Sequence, residues 1–290
     1  MSAQSNSIED LLRLKVETFT RTERNLASYF LRNFPMAMLG SVNQIAKAAD
    51  VSAPSVVRLA KKLGFSGFQD LQSAVRNELE ARLESPLTKH DRWAGGAPDA
   101  HILNRFSDAV LANLQKTLAY IDHKQFDQAT ELMADPSRKV FATGGRITLA
   151  MAEYFVTQMK VVRPDVELLL PVSNTWPPAM LEMRAGDILL AFDIRRYENN
   201  VLELIELAKD QGAIVILVTD PWVSPAAVHA SIRFSAQIEV PSAWDSNVAI
   251  QLLVEAMLAS VQSLTWQDTS ERMAQLEKLY EKARFFRGRR

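Results

Sequence analysis

Residues 51–65, VSAPSVVRLAKKLGF, begin with Ser52, Ala53, Pro54 and Ser55, pass through two valines, and end with Arg58, Lys61 and Lys62 ahead of Leu63-Gly64-Phe65. At 100° per residue, Val56, Leu59, Ala60 and Leu63 share one side of a helix, the stripe a core would cover. Pro54, Arg58 and Lys61 point nearly the opposite way, with Val57 on one flank and Ser55 and Lys62 on the other. Ser52 takes the N-cap position, and a first-turn proline is tolerated because first-turn amides have no intrahelical partner. SVNQIAKAA supplies a helix before it, and Asp50-Val51 a tight turn between the two. Two short helices, the second small at its start and basic outward, describe a helix-turn-helix: the first turn approaches base edges while arginine and lysine reach bases or phosphates. The expected DNA contacts are Gln44, Ser52, Ala53, Pro54, Ser55, Val57, Arg58, Lys61 and Lys62. An ordinary helical hairpin with solvated lysines is the competing reading.

Composition sets the bounds around that helix. At 290 residues, the expectation is two domains. Hydrophobic residues at 48% and charged residues at 23% are ordinary for a globular chain. The absence of cysteine excludes disulfides, thiolate zinc sites and cysteine nucleophiles. No signal peptide or membrane-length apolar run is seen, so the expected location is cytoplasmic, with no membrane partner. Net charge is −1, but residues 1–90 hold 12 Lys+Arg against 9 Asp+Glu, and 41–65 hold Lys47, Arg58, Lys61 and Lys62 against Asp50. Phosphate neutralisation needs local positive charge.

The first 84 residues read as helices punctuated by caps: Ser7 with Asp10, Thr20 with Glu23 and Ser41 with Gln44 approach capping-box spacing, and Pro35 stops the second helix. Residues 85–99, with Pro and Gly-Gly, read as a linker. From 100 to 290 the pattern changes. Two helical segments precede strands at 139–143, 166–170, 187–192, 213–219 and 231–235, with helices between and after them. Short apolar strands alternating with helices imply a parallel sheet covered on both faces. The fold expected is an all-α helix-turn-helix domain followed by an α/β domain with a five-stranded parallel sheet.

Residues 41–70, SVNQIAKAADVSAPSVVRLAKKLGFSGFQD, resemble the DNA-binding domain of the RpiR (MurR/RpiR) transcriptional regulators. The resemblance rests on Val56, Val57, Arg58, Lys61, Lys62, Leu63, Gly64, Phe65, Gly67 and Phe68. It implies a sequence-specific regulator of bacterial metabolic genes carrying a C-terminal sugar isomerase (SIS) domain, a fold that binds phosphosugars in many relatives.

In open α/β sheets, ligands gather where strands end and helices begin. Four such loops are present: GGRIT (144–148), DIRRYEN (193–199), TDPWVSP (219–225) and VPSAWDS (240–246). The expected ligand contacts are Gly144, Gly145, Arg146, Thr148, Asp193, Arg195, Arg196, Tyr197, Thr219, Ser242 and Ser246. By resemblance, Thr148 is the counterpart of a phosphate-binding serine. The second loop departs from the Ser-x-Ser-Gly-x-Thr of phosphosugar-binding members, with Asp193, Ile194, Arg195, Arg196 and Tyr197 in its place. Arginines grip phosphate or carboxylate bidentately; alternatively they pair with Glu198 or Glu203. The Gly144-Gly145 pair has its own alternative, a turn that needs positive φ. Asp245 or Ser246 caps the following helix, Trp244 stacks on a sugar ring or packs in a core, and His101 and His229 read as structural.

Two functions follow. One is a ligand-responsive regulator, a homodimer or tetramer on operator DNA, sensing a small anionic metabolite (phosphosugar or sugar acid) without cofactor or metal. The other is a SIS-fold phosphosugar isomerase or lyase using Glu153, Glu203 or Glu255 as base. The basic N-terminal helix favours the first. The C-terminal helices VAIQLLVEAMLASVQSLTW and MAQLEKLYEKARFF are the expected dimer surfaces.

Overall fold

Thr20 and Ser41 each close a capping box, the hydroxyl accepting the amide three residues on while the Glu23 or Gln44 side chain accepts the cap's own amide. These boxes start α2 (Arg21–Arg32) and α3 (Val42–Ala48) in the computed structural model, which describes residues 7–83, 89 and 101–285. The side chain of Asp10, expected to pair with Ser7, lies outside the described residues. The chain divides into two units, Met1–Thr88 and Lys89–Arg290.

In the first unit, α1 (Ile8–Leu14), α2, α3, α4 (Ala53–Leu63) and α5 (Phe68–Leu83) enclose one apolar core that includes Leu12, Leu26, Phe30, Met38, Ile45, Val56, Leu59, Leu71 and Val75. Asp50 takes φ of 52° in the turn from α3 to α4, and the Val51 amide returns to the Ala46 carbonyl at 2.9 Å. Gly64 ends α4 at φ 109°, where a side chain would be strained, and the Phe65 amide closes on the Ala60 carbonyl at 3.1 Å. That reversal lets Phe65 and Phe68 pack on the core.

The second unit begins its helices with α6 (Ile102–Tyr120) and α7 (His123–Ala134). The strands are β1 (Val140–Gly144), β2 (Val166–Leu168), β3 (Ile188–Asp193), β4 (Ile214–Thr219) and β5 (Ile232–Ser235), ordered β2-β1-β3-β4-β5 with every pair parallel. Helices α8 (Leu149–Val162), α9 (Trp176–Glu182), α10 (Asn199–Asp210), α11 (Val248–Leu264) and α12 (Trp266–Ala283) complete it. Val140, Ala142, Leu190, Phe192, Ile216 and Phe234 face α7, α8 and α11; Phe141, Leu189, Ala191, Val215 and Leu217 face α9 and α10. Alternate residues thus meet two apolar layers, which is why the strands read as continuous apolar runs.

Three features add to the sequence reading. Most of the expected linker lies outside the described residues, but Lys89 within it is 3% exposed, its ammonium seated on the Trp244 carbonyl at 3.0 Å and Asp245 at 2.6 Å. Helix α9 has no counterpart in the sequence reading: its prolines, Pro177 and Pro178, sit in the first turn, where no amide partner is lost. And α11, expected as a dimer surface, buries Ile250, Leu253, Val254, Met257, Leu258 and Val261 against the sheet. Among the described residues, no single helix is long and apolar enough to cross a membrane.

Candidate DNA-contacting face and effector crevice

The stripe expected on α4 is the one buried: Val56, Leu59, Ala60 and Leu63, with Ser55 beside them at 4% exposure. Ser52, Pro54, Arg58 and Lys61 are exposed, and Ala53 and Val57 are half-buried. The Ser52 and Ser55 hydroxyls pair at 2.8 Å, and the Arg58 guanidinium donates to Ser55 at 3.0 Å, which lays arginine along the outer face. Ser52 therefore occupies the N-cap without its side chain capping an amide.

Three expected contacts have other duties. Ser55 faces inward. The Lys62 ammonium donates to Glu23 at 2.8 Å and to the Thr18 carbonyl at 2.6 Å, and stands 5.7 Å from the Phe19 ring centre. Gln44 is exposed, but its amide oxygen accepts from the Ser41 amide at 2.9 Å. The face left outward is Ser52, Ala53, Pro54, Val57, Arg58 and Lys61.

In the second unit, β1 has β2 on one side and β3 on the other, so the chain's progress across the sheet reverses there, the place where open α/β sheets form ligand crevices. The GGRIT loop leaves β1 for α8, and the DIRRYEN loop leaves β3 for α10. The positive-φ glycines of the described chain are Gly64, Gly186 and Gly212, so close approach, not handedness, accounts for the Gly144-Gly145 pair. A Cβ on Gly144 would lie 2.6 Å from the Thr148 carbonyl carbon, and one on Gly145 2.9 Å from Oε1 of Glu198. That Glu198 oxygen accepts the Arg146 amide at 2.6 Å.

The expected ligand residues divide into frame and rim. Thr148 is buried, its hydroxyl donating to the Phe192 carbonyl at 2.8 Å and accepting the Gly145 amide at 2.9 Å. Asp193 is 2% exposed and accepts the Ser224 hydroxyl; burial pushes its carboxyl up to about 7 against that bond, with Asp220 and Glu198 adding repulsion. Asp220, fully buried after β4, accepts the Arg195 amide at 2.6 Å, the Trp222 amide at 2.9 Å and the Tyr197 hydroxyl at 2.8 Å, and burial raises its carboxyl too. The Arg195 guanidinium lies 4.2 Å from the Trp222 ring centre and forks onto Asp245, Nε at 3.1 Å and Nη2 at 2.7 Å. Thr219 accepts the Ser224 amide, Ser246 the Val248 amide and Ser242 the Trp244 amide.

Thr148, Asp193, Arg195, Thr219 and Ser246 thus belong to the hydrogen-bonded frame that fixes the loops. A buried guanidinium must be paired, and the partner of Arg195 is Asp245, with Glu239 at 3.5 Å, not Glu198 or Glu203. Exposed on the rim are Arg146 and Arg196, with Trp244, whose ring centre is 5.7 Å from the Arg146 guanidinium. The sequence reading missed Asp220, Ser224 and the seat of Glu198. The signal for the last was available: Glu198 stands at the threonine of Ser-x-Ser-Gly-x-Thr. His101 caps α6 through Nδ1, His229 pairs with Glu206 at 3.3 Å, and no cluster of three metal-ligating side chains occurs among the described residues.

A helix-turn-helix on one unit and a five-stranded parallel α/β layer on the other define a regulator built from a DNA-binding domain and a SIS domain. Residues 6–82 match the model of the helix-turn-helix domain of the rpiR family, and residues 133–264 that of the SIS domain. The chain thus joins an rpiR-family helix-turn-helix domain to a SIS domain, the make-up of a ligand-responsive transcriptional regulator. It is 23% identical over 262 residues to the HTH-type transcriptional regulator RpiR of Escherichia coli, covering 87% of this chain and 85% of that one. Its fold is shared with the Vibrio vulnificus NanR protein complexed with ManNAc-6P, at TM-score 0.54 and 18% identity, covering 95% of this chain and 98% of that one. The sugar isomerase domain of an RpiR transcription factor from Sphaerobacter thermophilus aligns at TM-score 0.56 and 18% identity, covering 61% of this chain and 97% of that one.

Proposed function

We propose that this regulator reads operator DNA through Ser52, Ala53, Pro54, Val57, Arg58 and Lys61 on the outer face of α4, and senses a phosphosugar or sugar acid at the carboxyl edge of β1 and β3. The observation that carries the DNA reading is the division of α4 into a fully covered apolar stripe and an outer face with a small first turn followed by two cations. For the effector, Arg146 and Arg196 supply cationic rim groups and Trp244 an exposed ring suited to a sugar face. A phosphosugar in the NanR complex supports the class.

The chain acts by binding rather than by turnover. Glu153 and Glu203 are exposed on helices, Glu255 accepts from Tyr154 and Gln251, and Asp193 and Asp220 are closed within the loop frame. Glu198, the half-buried carboxylate at the crevice, is engaged by the Arg146 amide.

Retardation of a fragment of its own upstream region tests the DNA face. Arg58→Ala with Lys61→Ala removes two exposed side chains without creating a cavity, and each lost contact weakens binding by about 1–3 kcal/mol. The double variant keeps the wild-type melting temperature and loses the retarded band. Wild-type affinity at matched salt in that variant would falsify the assignment.

A further inference from the structure

We propose that Glu198 is a built-in occupant of the anion seat at the head of α8, and that the effector's anionic group binds by displacing it. The proposal rests on the effector crevice assigned above and names how that crevice is controlled.

Three features meet at this point. The Arg146 amide, in the last loop before a 14-residue helix, donates to Oε1 of Glu198 at 2.6 Å, the short separation of a charge-assisted bond. The helix end behind it carries partial positive charge, so a carboxylate is favoured there. Gly145 leaves the space open: a Cβ at that position would stand 2.9 Å from Oε1, so any side chain there would compete with the carboxylate. The loop is therefore shaped for an anion, and the chain delivers one from 52 residues downstream.

The occupant is placed to leave. Its side chain is the N-terminal flank of α10 and makes no side-chain cap to that helix, while its backbone amide is held separately by Asp193 at 3.4 Å. Rotation of the side chain does not require α10 to unwind. Glu198 is half-buried, in contrast to Thr148, Asp193 and Arg195, which are locked in the frame. The exposed Arg146 and Arg196 are within the same two loops, so an incoming phosphate or carboxylate meets cations as it replaces the internal one. An internal competitor lowers apparent affinity by the fraction of molecules in which the seat is open. It also makes the site selective: a neutral sugar has nothing with which to displace a carboxylate.

The test uses the full chain, titrated calorimetrically with inorganic phosphate and with glucose 6-phosphate, against glucose at matched ionic strength. Glu198→Ala empties the seat, and Glu198→Gln keeps an acceptor for the Arg146 amide while removing the charge. The expected result is phosphate binding at least about tenfold tighter in Glu198→Ala than in wild type, with Glu198→Gln between them and no response to glucose. Adding Gly145→Ala to Glu198→Ala puts a methyl group in the seat and abolishes the gain, which locates the binding. Equal affinity in wild type and both Glu198 variants, or no binding by any, overturns the proposal. Operator retardation by the same preparations separates the two readings: retained DNA binding with an unchanged phosphate response rejects the role of Glu198 and leaves the regulator intact. If Glu198→Ala does not fold, Glu198→Gln decides by the same comparison with wild type.

Discussion

Asp193 is held near neutrality by burial, and this has a measurable sign. An unfolded aspartate titrates near 3.9, whereas the folded group does so at about 7. Below both values the proton is bound in either state, and stability is unaffected. Between them the folded chain keeps a proton the unfolded chain has released, so stability falls as pH rises and levels off above 7. At about 1.4 kcal/mol per pH unit across that window, the loss amounts to a few kcal/mol. Asp220, raised in the same direction, adds to it. Asp193→Asn removes one of the two contributions. Its melting temperature is expected to decline less steeply from pH 5 to 7 than that of wild type, and parallel profiles would refute the protonated frame. At the same scale, Arg195 shows why the crevice was only half legible. Its identity and loop could be read directly, but whether it faces a ligand depends on Asp245, 50 residues away, a partner no local pattern displays.

Helix α4 was legible because everything that fixes it is local: a 3.6-residue apolar period, a first-turn proline and a terminating Gly64. Lys62 was misjudged because the residue that claims it, Glu23, lies 39 positions earlier, on α2. Helix α9 has little local signal of its own: it is seven residues long and carries two prolines in its first turn. The inner strands β1, β3 and β4, buried on both faces, announced themselves as apolar runs. The contrast between adjacent lysines gives an element-level prediction. Lys61 is exposed on the outer face, whereas Lys62 ties α4 to α2. Lys61→Ala should therefore reduce the salt dependence of operator binding by about one phosphate contact. Lys62→Ala should lower the melting temperature and leave that slope unchanged. Salt titrations of retardation, run beside thermal melts, check both; a reduced slope in Lys62→Ala would return that lysine to the DNA face.

Recognition by the whole molecule requires two copies of α4, since one helix-turn-helix spans too few base pairs for useful specificity, and a two-fold protein fits a pseudo-palindromic site. With one face of α11 committed to the core, a candidate surface for joining two chains lies elsewhere. Helix α6 exposes Leu103 at 63%, Leu111 at 57% and Leu118 at 52%, while Leu114 on the same helix packs against the core. Leu111 and Leu118, seven residues apart, lie within about 20° of each other, while the core-packed Leu114 falls between them and Leu103 around the helix. An exposed apolar pair on the outer side of a helix is a candidate association site, and the heptad spacing of Leu111 and Leu118 suits a helix packed against its own copy. The expected species in sedimentation at micromolar concentration is a dimer or larger. Leu111→Glu with Leu118→Glu places like charges on both sides of that seam without touching the core, and should yield folded monomers that no longer retard operator DNA. A variant that still sediments as the wild-type oligomer would move the seam to α12 and the residues just after it, where Leu279 and Phe285 are 60% and 74% exposed, while a wild-type chain that stays monomeric with and without DNA would remove the two-fold model altogether.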